Sequence, residues 1–322
     1  MIRRAVVLMN LGGPDSPQAV KPFLRNLFSD RAIIDLPTIL RLPLAALIAA
    51  RRARVAAEIY EYLGGGSPLL PNTEAQARAL ESALGGETRC FIAMRYWHPL
   101  TGEAVRAVKA WRPDEVVLLP LYPQYSTTTT GSSITAWRNE AGRLGFGCPT
   151  RIVRSYPTAP GFISGLANQV EKALSIEPEA RLLLSAHGLP LKIVRAGDPY
   201  PDEIALTAEA LVKALRRPDI AWRVCYQSRV GPLAWLGPSV EDELARAAQD
   251  RVPVIVAPIS FVSEHSETLV ELDRDYRRIA ERLGVPGYIR ASTVGTEPKF
   301  IAALAELARG EAVPDEASRL LA

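Results

Sequence analysis

Histidine and carboxylate side chains that could move protons or hold a metal ion are concentrated in segment 258–276. His265, Glu267, Glu271 and Asp275 follow one another there, and the three carboxylates are spaced four residues apart. On a helix this spacing stacks the carboxylates in one stripe, where like charges destabilise by about 0.2–0.5 kcal/mol per pair unless a cation or solvent intervenes. The stripe predicts either a path for a metal ion or an ordinary solvated acidic face.

Apolar runs of buried-strand type precede the candidate residues. VPVIVAPISF leads into the carboxylate stripe, and residues 182–184 lead into His187, one of only three histidines in the chain. In open α/β sheets, ligands bind at the carboxyl ends of the strands. Imidazole with carboxylate suits a divalent transition metal, and the ordinary histidine pKa of about 6.5 suits a base near neutral pH. The two strand-end histidines, His187 and His265, therefore favour a catalytic or metal site over isolated structural histidines.

Composition limits the classes of protein that this chain could belong to. Its 322 residues are 48% hydrophobic and carry a formal net charge of +3, from 38 basic and 35 acidic residues. A balanced charge gives no argument for a nucleic-acid partner. Cys90, Cys148 and Cys225 are odd in number and contain no C-x-x-C pair, so we expect a reducing compartment and a cytoplasmic protein. No run approaches the roughly 18 apolar residues of a membrane helix, and the apolar N-terminal segment is typical of a first strand rather than a signal peptide.

Strand-like and helix-like patterns alternate along the chain, which favours parallel sheets covered on both faces. The predicted strands are residues 5–11, 89–96, 115–122, 151–156, 181–186, 222–227, 252–259 and 288–294. Four fall in each half, and the two halves open alike, with an apolar strand and then a small-residue loop closed by proline. We therefore predict an α/β fold of two similar Rossmann-like domains, residues 1–150 and 151–300. A final helix at about 300–322 could pack back onto the first domain.

Eight segments of the chain resemble the ferrochelatase family, the class II chelatases that insert ferrous iron into a porphyrin. They run in family order over nearly the whole chain. The segments are VVLMNLGGPDS (6–16), YLGGGSPL (62–69), MRYWHPLT (94–101), LPLYPQYSTTTTGSS (119–133), SAHGLP (185–190), GDPYP (197–201), YQSRVGPLAWLGPS (226–239) and FVSEHSETLVELD (261–273). The C-terminal sequence has no cysteines, so the chain resembles the bacterial type without an iron–sulfur cluster.

The resemblance implies a fold and an activity. It implies two similar domains, each a four-stranded parallel sheet flanked by helices, with a central cleft that holds the active site. The implied enzyme is a lyase that inserts Fe²⁺ into protoporphyrin IX, forming protohaem with release of two protons, the terminal step of haem biosynthesis. Porphyrin and ferrous iron are the expected partners, as substrates, with no permanently bound cofactor. We expect a monomer rather than a dimer.

The resemblance also assigns roles to the candidate residues. His187 is expected to be the principal proton acceptor, with Glu267 as a metal ligand or second proton acceptor, and both are candidate metal ligands. His265 is expected to orient Glu267 by a hydrogen bond. The carboxylates expected to conduct iron inwards or protons outwards are Glu264, Glu271 and Asp275.

Porphyrin contacts are expected at further positions, each of which could instead be plain core or a tight turn. The loop carrying Ser67, with Arg52, corresponds to the place where the family holds the porphyrin propionates, and an arginine with a hydroxyl donor suits a carboxylate. Residues that correspond to the wall of the porphyrin pocket are Leu11, Arg95, Tyr96, Tyr122 and Trp235.

Segment 40–60 mixes apolar positions with arginines, which is typical either of an ordinary surface helix or of an amphipathic segment on anionic lipid. In the family this region forms an apolar lip over the mouth of the active site. A peripheral contact with the inner membrane is consistent with that resemblance.

Two alternatives remain open from the sequence. The first is a coproporphyrin ferrochelatase or another tetrapyrrole metal chelatase, which would keep the fold and a strand-end histidine. The second, of another class, is a non-catalytic haem or iron carrier, which would need the apolar pocket but not a paired base and carboxylate.

Overall fold

A computed structural model describes residues 2–229, 231 and 233–311. The described chain divides into two compact units. The first contains the residues up to Ser155 together with Leu304–Glu311, and the second contains Tyr156–Ala303.

The first unit is built on a four-stranded parallel sheet of order β2-β1-β3-β4. Its strands are β1 (Arg4–Asn10), β2 (Thr88–Met94), β3 (Glu115–Pro120) and β4 (Thr150–Ile152). The central strands β1 and β3 are almost continuously apolar because helices cover both faces of the sheet. These helices are α1 (Val20–Phe28), α2 (Thr38–Tyr62), α3 (Leu69–Leu84), α4 (Thr101–Trp111) and α5 (Ser132–Arg143). A π-helical turn, Thr127–Gly131, leads into α5.

The second unit repeats this plan with a parallel sheet of order β6-β5-β7-β8. Its strands are β5 (Arg181–His187), β6 (Trp222–Gln227), β7 (Val254–Pro258) and β8 (Tyr288–Arg290). Its helical elements are α6 (Pro160–Leu174), α7 (Leu191–Arg195), α8 (Tyr200–Leu215), α9 (Val240–Asp250), a π-helix (Glu267–Asp275), α10 (Tyr276–Leu283) and α11 (Pro298–Arg309). The predicted fold class is confirmed: two four-stranded parallel sheets flanked by helices, with the same strand order in each.

The fourth and eighth strands are shorter than the sequence predicts. Strand β4 pairs with β3 over three residues, and β8 pairs with β7 over three. Both lie at a sheet edge. An edge strand is hydrogen-bonded to a neighbour on one side only. Ending it early therefore interrupts one ladder of hydrogen bonds, and the apolar residues that follow can pack in a loop.

The acidic segment after β7 is helical, as predicted, but its winding differs. Residues Glu267–Asp275 form a π-helix, which continues as α10. The π-helix carries i→i+5 hydrogen bonds and occurs frequently at functional sites.

The end of α11, from Leu304 onwards, belongs to the first unit and is fixed inside it. Arg151 Nη1 donates to Leu307 O over 2.9 Å, and Arg309 Nη2 donates to Ala83 O over 2.8 Å. Residues 312–322 of the predicted final helix lie outside the described residues. Within the described range, no helix is long and apolar enough to cross a membrane.

Candidate active site

His187 is the last residue of β5, at the carboxyl edge of the second sheet. Its Nδ1 atom lies 2.6 Å from Gly188 O. A carbonyl can only accept, so Nδ1 carries the proton and donates it, and the neutral ring keeps its lone pair at Nε2. The side chain is 41% exposed. Strand β5 thus presents an oriented imidazole whose Nε2 can take up a proton or bind a metal.

Glu267 lies between the two histidines of this unit. Its Oε2 atom is 3.7 Å from His187 Nε2 and 3.8 Å from His265 Nε2. Both separations are longer than a hydrogen bond, including the one predicted from His265. Oε2 is buried and has no hydrogen-bond partner among the described residues. The structure therefore brings the three predicted catalytic residues together around one unpartnered carboxylate oxygen.

His265 is held differently from His187. It is buried, its Nδ1 atom lies 3.0 Å from Ser263 O, and its ring centroid lies 4.6 Å from that of Phe261. As at His187, the carbonyl fixes the Nδ1–H tautomer and turns Nε2 towards Glu267. Phe261 also lies edge-on to His187, with 6.5 Å between ring centroids. Phe261 was not predicted from the sequence, although its place directly before the acidic segment could have suggested it.

When either histidine is protonated, its imidazolium and the ionised Glu267 stabilise one another. Burial raises the pKa of Glu267, but the neighbouring His187 and His265 outweigh burial and hold that pKa below its usual range. Burial lowers the pKa of His265, but Glu267 and the Ser263 carbonyl outweigh it, so the pKa is raised. The cluster therefore favours an ionised Glu267 that attracts a proton or a cation.

The remaining predicted carboxylates are bound to protein groups. Glu271 accepts from Ser228 N (2.8 Å), Ser228 Oγ (2.5 Å), Gln227 Nε2 (3.2 Å) and the Tyr276 hydroxyl (3.2 Å). Burial, and then the charge of Glu267, raise the pKa of Glu271. Ser228 holds this carboxylate from a left-handed backbone conformation, with φ of 61°.

Glu264 and Asp275 are each paired with an arginine. Glu264 lies 2.9 Å from Arg290 Nη1 and also accepts from Thr293 N, while Asp275 lies 2.7 Å from Arg274 Nε. Of the four predicted conduit or ligand carboxylates, Glu267 is thus the one that has a buried oxygen without a hydrogen-bond partner among the described residues. The role of the others as an iron or proton path stays a prediction.

In the first unit, Arg95 and Tyr96 both bind a carboxylate that was not predicted from the sequence, that of Asp30. Asp30 accepts from Arg95 Nη2 (2.8 Å), from the Tyr96 hydroxyl (2.7 Å) and from the Ser132 hydroxyl. Arg95 Nε also donates to Ser132 Oγ over 2.7 Å. Tyr96 has no exposed surface, whereas the Arg95 side chain is 24% exposed. Of this pair, Arg95 is the side chain that can reach a ligand.

Among the described residues, the other predicted porphyrin residues donate no side-chain hydrogen bond to Asp30, although Leu11 and Tyr122 lie close to Tyr96 and Arg95. Arg52 is exposed on α2, with its guanidinium 5.7 Å from the Phe28 ring. Burial raises the pKa of Tyr122, opposed by Ser133 and Arg95. Leu11 packs with the cluster that contains Tyr96, and Ser67 precedes α3.

Trp235 belongs to the second unit, where it pairs with Pro190. Its Cε3 atom lies 3.3 Å from the position of a Cβ added at Gly188. Trp235 is thus the predicted porphyrin residue that the structure places next to Gly188, the residue that follows His187. Among the residues that the structure covers, no group of three or more His, Cys, Asp or Glu side chains is arranged to hold a metal ion.

The fold is that of the chelatase class. The sirohydrochlorin chelatase SirB from Bacillus subtilis subspecies spizizenii, solved in complex with cobalt, superposes with a TM-score of 0.57 at 11% identity, covering 98% of both chains. CbiX, described as the terminal enzyme for biosynthesis of sirohaem in denitrifying bacteria, gives a TM-score of 0.50 at 18% identity, covering 97% of this chain and 100% of that one. At these identities the likeness concerns the fold alone.

Sequence comparison identifies the family within that class. The ferrochelatase family model matches residues 3–312. Ferrochelatase of Caulobacter vibrioides (strain NA1000 / CB15N) is 56% identical over 314 residues, covering 95% of this chain and 89% of that protein. Ferrochelatase of Phenylobacterium zucineum is 53% identical, covering 96% and 91%. The chain belongs to the ferrochelatase family, and it is therefore an enzyme, a metal chelatase of the lyase class.

Proposed function

We propose that the chain inserts Fe²⁺ into protoporphyrin IX, releasing two protons and forming protohaem, the terminal step of haem biosynthesis. Membership of the ferrochelatase family gives the reaction. The observation that supports the assignment of its centre is the 3.7 Å approach of His187 Nε2 to the unpartnered Oε2 of Glu267. A carrier of haem or iron would need neither an oriented base nor an unpartnered carboxylate oxygen beside it.

His187 performs the proton transfer. Insertion removes two pyrrole N–H protons and leaves the nitrogen lone pairs on the metal. With Nδ1–H donated to Gly188 O, His187 takes the first proton at Nε2, and the resulting imidazolium is stabilised by Glu267. The second proton goes to the unpartnered Oε2 of Glu267. General-base catalysis contributes about 10²–10⁴-fold to the rate of such a step.

Glu267 and His187 also suit the incoming iron. Imidazole nitrogen and carboxylate oxygen bind first-row divalent metals at about 2.0–2.2 Å, as in zinc sites, and two such bonds can together span 3.7 Å. The pair can therefore hold Fe²⁺ as substrate without rearrangement. Metal bound to His187 competes with protonation of Nε2, so iron delivery and proton removal follow one another at this atom.

Porphyrin contacts fall mainly in the first unit. Arg52 forms no ion pair among the described residues and is free to meet a propionate, with Ser67 as a second donor. Arg95 is fixed by Asp30 and Ser132, so it can offer a guanidinium edge with little loss of side-chain entropy on binding.

Turnover under anaerobic conditions tests the proposal. Purified protein mixed with excess protoporphyrin IX and Fe²⁺ is expected to form many equivalents of protohaem, followed by the loss of porphyrin fluorescence. The same assay with coproporphyrin compares the two tetrapyrroles. Formation of at most one equivalent with either porphyrin would point to a carrier, and faster turnover of coproporphyrin would reassign the substrate.

We also propose a peripheral membrane contact through the start of α2. Ile39 and Leu40 are 81% and 58% exposed there, with Arg41 beside them. Apolar side chains beside a basic residue suit insertion at an anionic lipid surface. Ile39→Glu is expected to reduce sedimentation with vesicles of anionic phospholipid. Ile176→Glu, at a 72% exposed residue of the other unit, is the control and should leave sedimentation unchanged.

We propose further that the enzyme is cytoplasmic and monomeric and that it has no iron–sulfur cluster. Light scattering on the purified chain tests the monomer. Assays of protein-bound iron and acid-labile sulfide test for the cluster, and cell fractionation tests the location.

A further inference from the structure

Gly13 lies where the loop after β1 meets the loop that precedes α3. A Cβ atom at position 13 would lie 2.4 Å from Ser67 Oγ and 2.5 Å from Ser67 Cβ, closer than real Cβ contacts. The backbones are joined at the same place, because Ser67 N donates to Pro14 O over 2.7 Å. One residue earlier, a Cβ at Gly66 would lie 2.8 Å from Asp15 O. The two loops interlock because glycine stands at both points of contact.

The interlock controls the orientation of the Ser67 hydroxyl. Its Oγ accepts from Leu69 N over 3.3 Å, at the start of α3. A hydroxyl that accepts one hydrogen bond still has its own proton to donate. Within the described part of the chain, the Ser67 hydroxyl donates to no protein acceptor. The positive end of the α3 dipole lies beside it and favours an anionic acceptor.

We propose that Gly13 is a positioning residue for porphyrin binding, because the space it leaves lets Ser67 take the one orientation in which its hydroxyl donates to a propionate. Gly13 acts through Ser67 and touches no substrate itself. The inference rests on the proposed function, since it takes the porphyrin carboxylate as the acceptor.

A double-mutant cycle tests the proposal with Gly13→Ala, Ser67→Gly and the combined variant. Gly13→Ala and Ser67→Gly should each raise the KM for protoporphyrin IX about ten-fold or more, the worth of a hydrogen bond to a charged group. The value of kcat should change by less than about two-fold, because the contact is equal in ground and transition states. The KM for the dimethyl ester should stay near wild type, since it offers no carboxylate.

The combined variant is the decisive arm of the cycle. Ser67→Gly removes both atoms that a Cβ at position 13 would meet, so adding Gly13→Ala to it should change the KM no further. If Gly13→Ala alone fails to fold, the combined variant should fold, because the collision has gone. Gly142→Ala in α5 is the control, since a Cβ there meets nothing within 4 Å.

Three outcomes would overturn the proposal: additive effects of the two substitutions, an equal loss with the ester, or a combined variant that still fails to fold. Porphyrin affinity from fluorescence quenching gives the same comparison without turnover. A wild-type protein that binds porphyrin but makes no haem would therefore refute the proposed function and leave the Gly13 test intact.

Discussion

At the scale of single residues, the sequence predicted side chains whose chemistry depends on position along a strand. His187 could be placed because an apolar strand pattern ends on it, and parallel strands present their carboxyl ends at one edge. Asp30 could not be identified from the sequence, because the side chains that bind it are distant along the chain. They belong to Arg95, Tyr96 and Ser132, which are 65 to 102 residues away. A buried carboxylate of this kind has no local pattern, since its partners are set by tertiary packing.

His187→Ala is expected to lower turnover by about 10²–10⁴-fold while porphyrin binding stays near wild type, because it removes the proton acceptor and little apolar surface. Fluorescence quenching measures binding, and the disappearance of the remaining fluorescence measures insertion. His98→Ala is the control, as His98 is exposed in the other unit and paired with Glu103 at 2.9 Å. Wild-type turnover in the His187 variant would show that His187 takes no part in the mechanism.

Asp30→Asn is expected to cost about 1.5–3 kcal/mol in the free energy of unfolding at pH 7, because hydrogen bonds to a charged acceptor are lost. Burial raises the pKa of Asp30, but Ser132 and Arg95 outweigh it and lower that pKa. This stability is present above the ordinary aspartate pKa of about 3.9 and is lost as the pH falls through the lowered folded pKa.

Urea unfolding at several pH values measures this deficit, which should shrink at acidic pH. Asp35→Asn is the control, because its pair with Arg31 is largely exposed and worth at most about 0.5 kcal/mol. A deficit at Asp30 that is the same at every pH would mean that its charge contributes nothing.

At the scale of elements, the acidic segment shows where periodicity stops being informative. Four-residue spacing predicted a helix with a carboxylate stripe, and a helix is present. The spacing does not distinguish α from π winding, because that choice depends on contacts outside the helix, such as those from Ser228 to Glu271. It also could not predict that Glu271 would be surrounded by donors while Glu267 keeps an unpartnered oxygen.

Glu271→Gln is expected to raise the KM for iron and leave that for porphyrin nearly unchanged, if the carboxylates of the π-helix conduct the metal. Glu267→Gln should be far more damaging, because Glu267 lies against His187 Nε2. Steady-state kinetics with each substrate varied separately distinguish the two effects. Equal iron dependence in wild type and Glu271→Gln would leave Glu271 a structural residue.

Stability gives a second measurement on Glu271→Gln. Burial and then Glu267 raise the pKa of Glu271, so the folded state binds this proton more tightly than the unfolded state. The associated stability is complete below the ordinary glutamate pKa of about 4.3 and is lost as the pH rises through the raised folded pKa. The variant should therefore gain stability relative to wild type as the pH rises above about 4.3. Urea unfolding that shows a constant difference would contradict the raised pKa.

At the scale of the whole molecule, the two units share more than their strand order. In each unit, the edge strand β2 or β6 has a backbone N–H near its carboxyl end that points away from the sheet and donates to a proline carbonyl. Met94 N donates to Pro99 O in β2, and Tyr226 N donates to Pro238 O in β6. The sequence predicted the duplication from two similar strand-loop openings. It could not show that the edges are closed in the same way, because the bonds come from the backbone and need no particular side chain.

The helix that follows each edge strand begins with an equivalent contact, which allows the duplication to be tested. Glu103 accepts from Leu100 N over 2.6 Å at the start of α4, and Asp242 accepts from Ser239 N over 2.8 Å at the start of α9. Each carboxylate satisfies a backbone donor at a helix N-terminus. Replacing such a capping side chain by alanine costs about 0.5–2 kcal/mol in the free energy of unfolding.

Glu103→Ala and Asp242→Ala are accordingly expected to cost similar amounts, and the double variant should lose their sum to within about 0.5 kcal/mol, because each acts inside its own unit. The lowered pKa values of both carboxyls mean that the losses are present above the ordinary acidic range and fade as the pH falls. Urea unfolding of the single and double variants provides the comparison, with exposed Glu209→Ala as the control. Strong non-additivity would show that the two N-termini are energetically coupled, and a cost at only one of them would show that the duplicated contact is structural coincidence rather than a shared stabilising device.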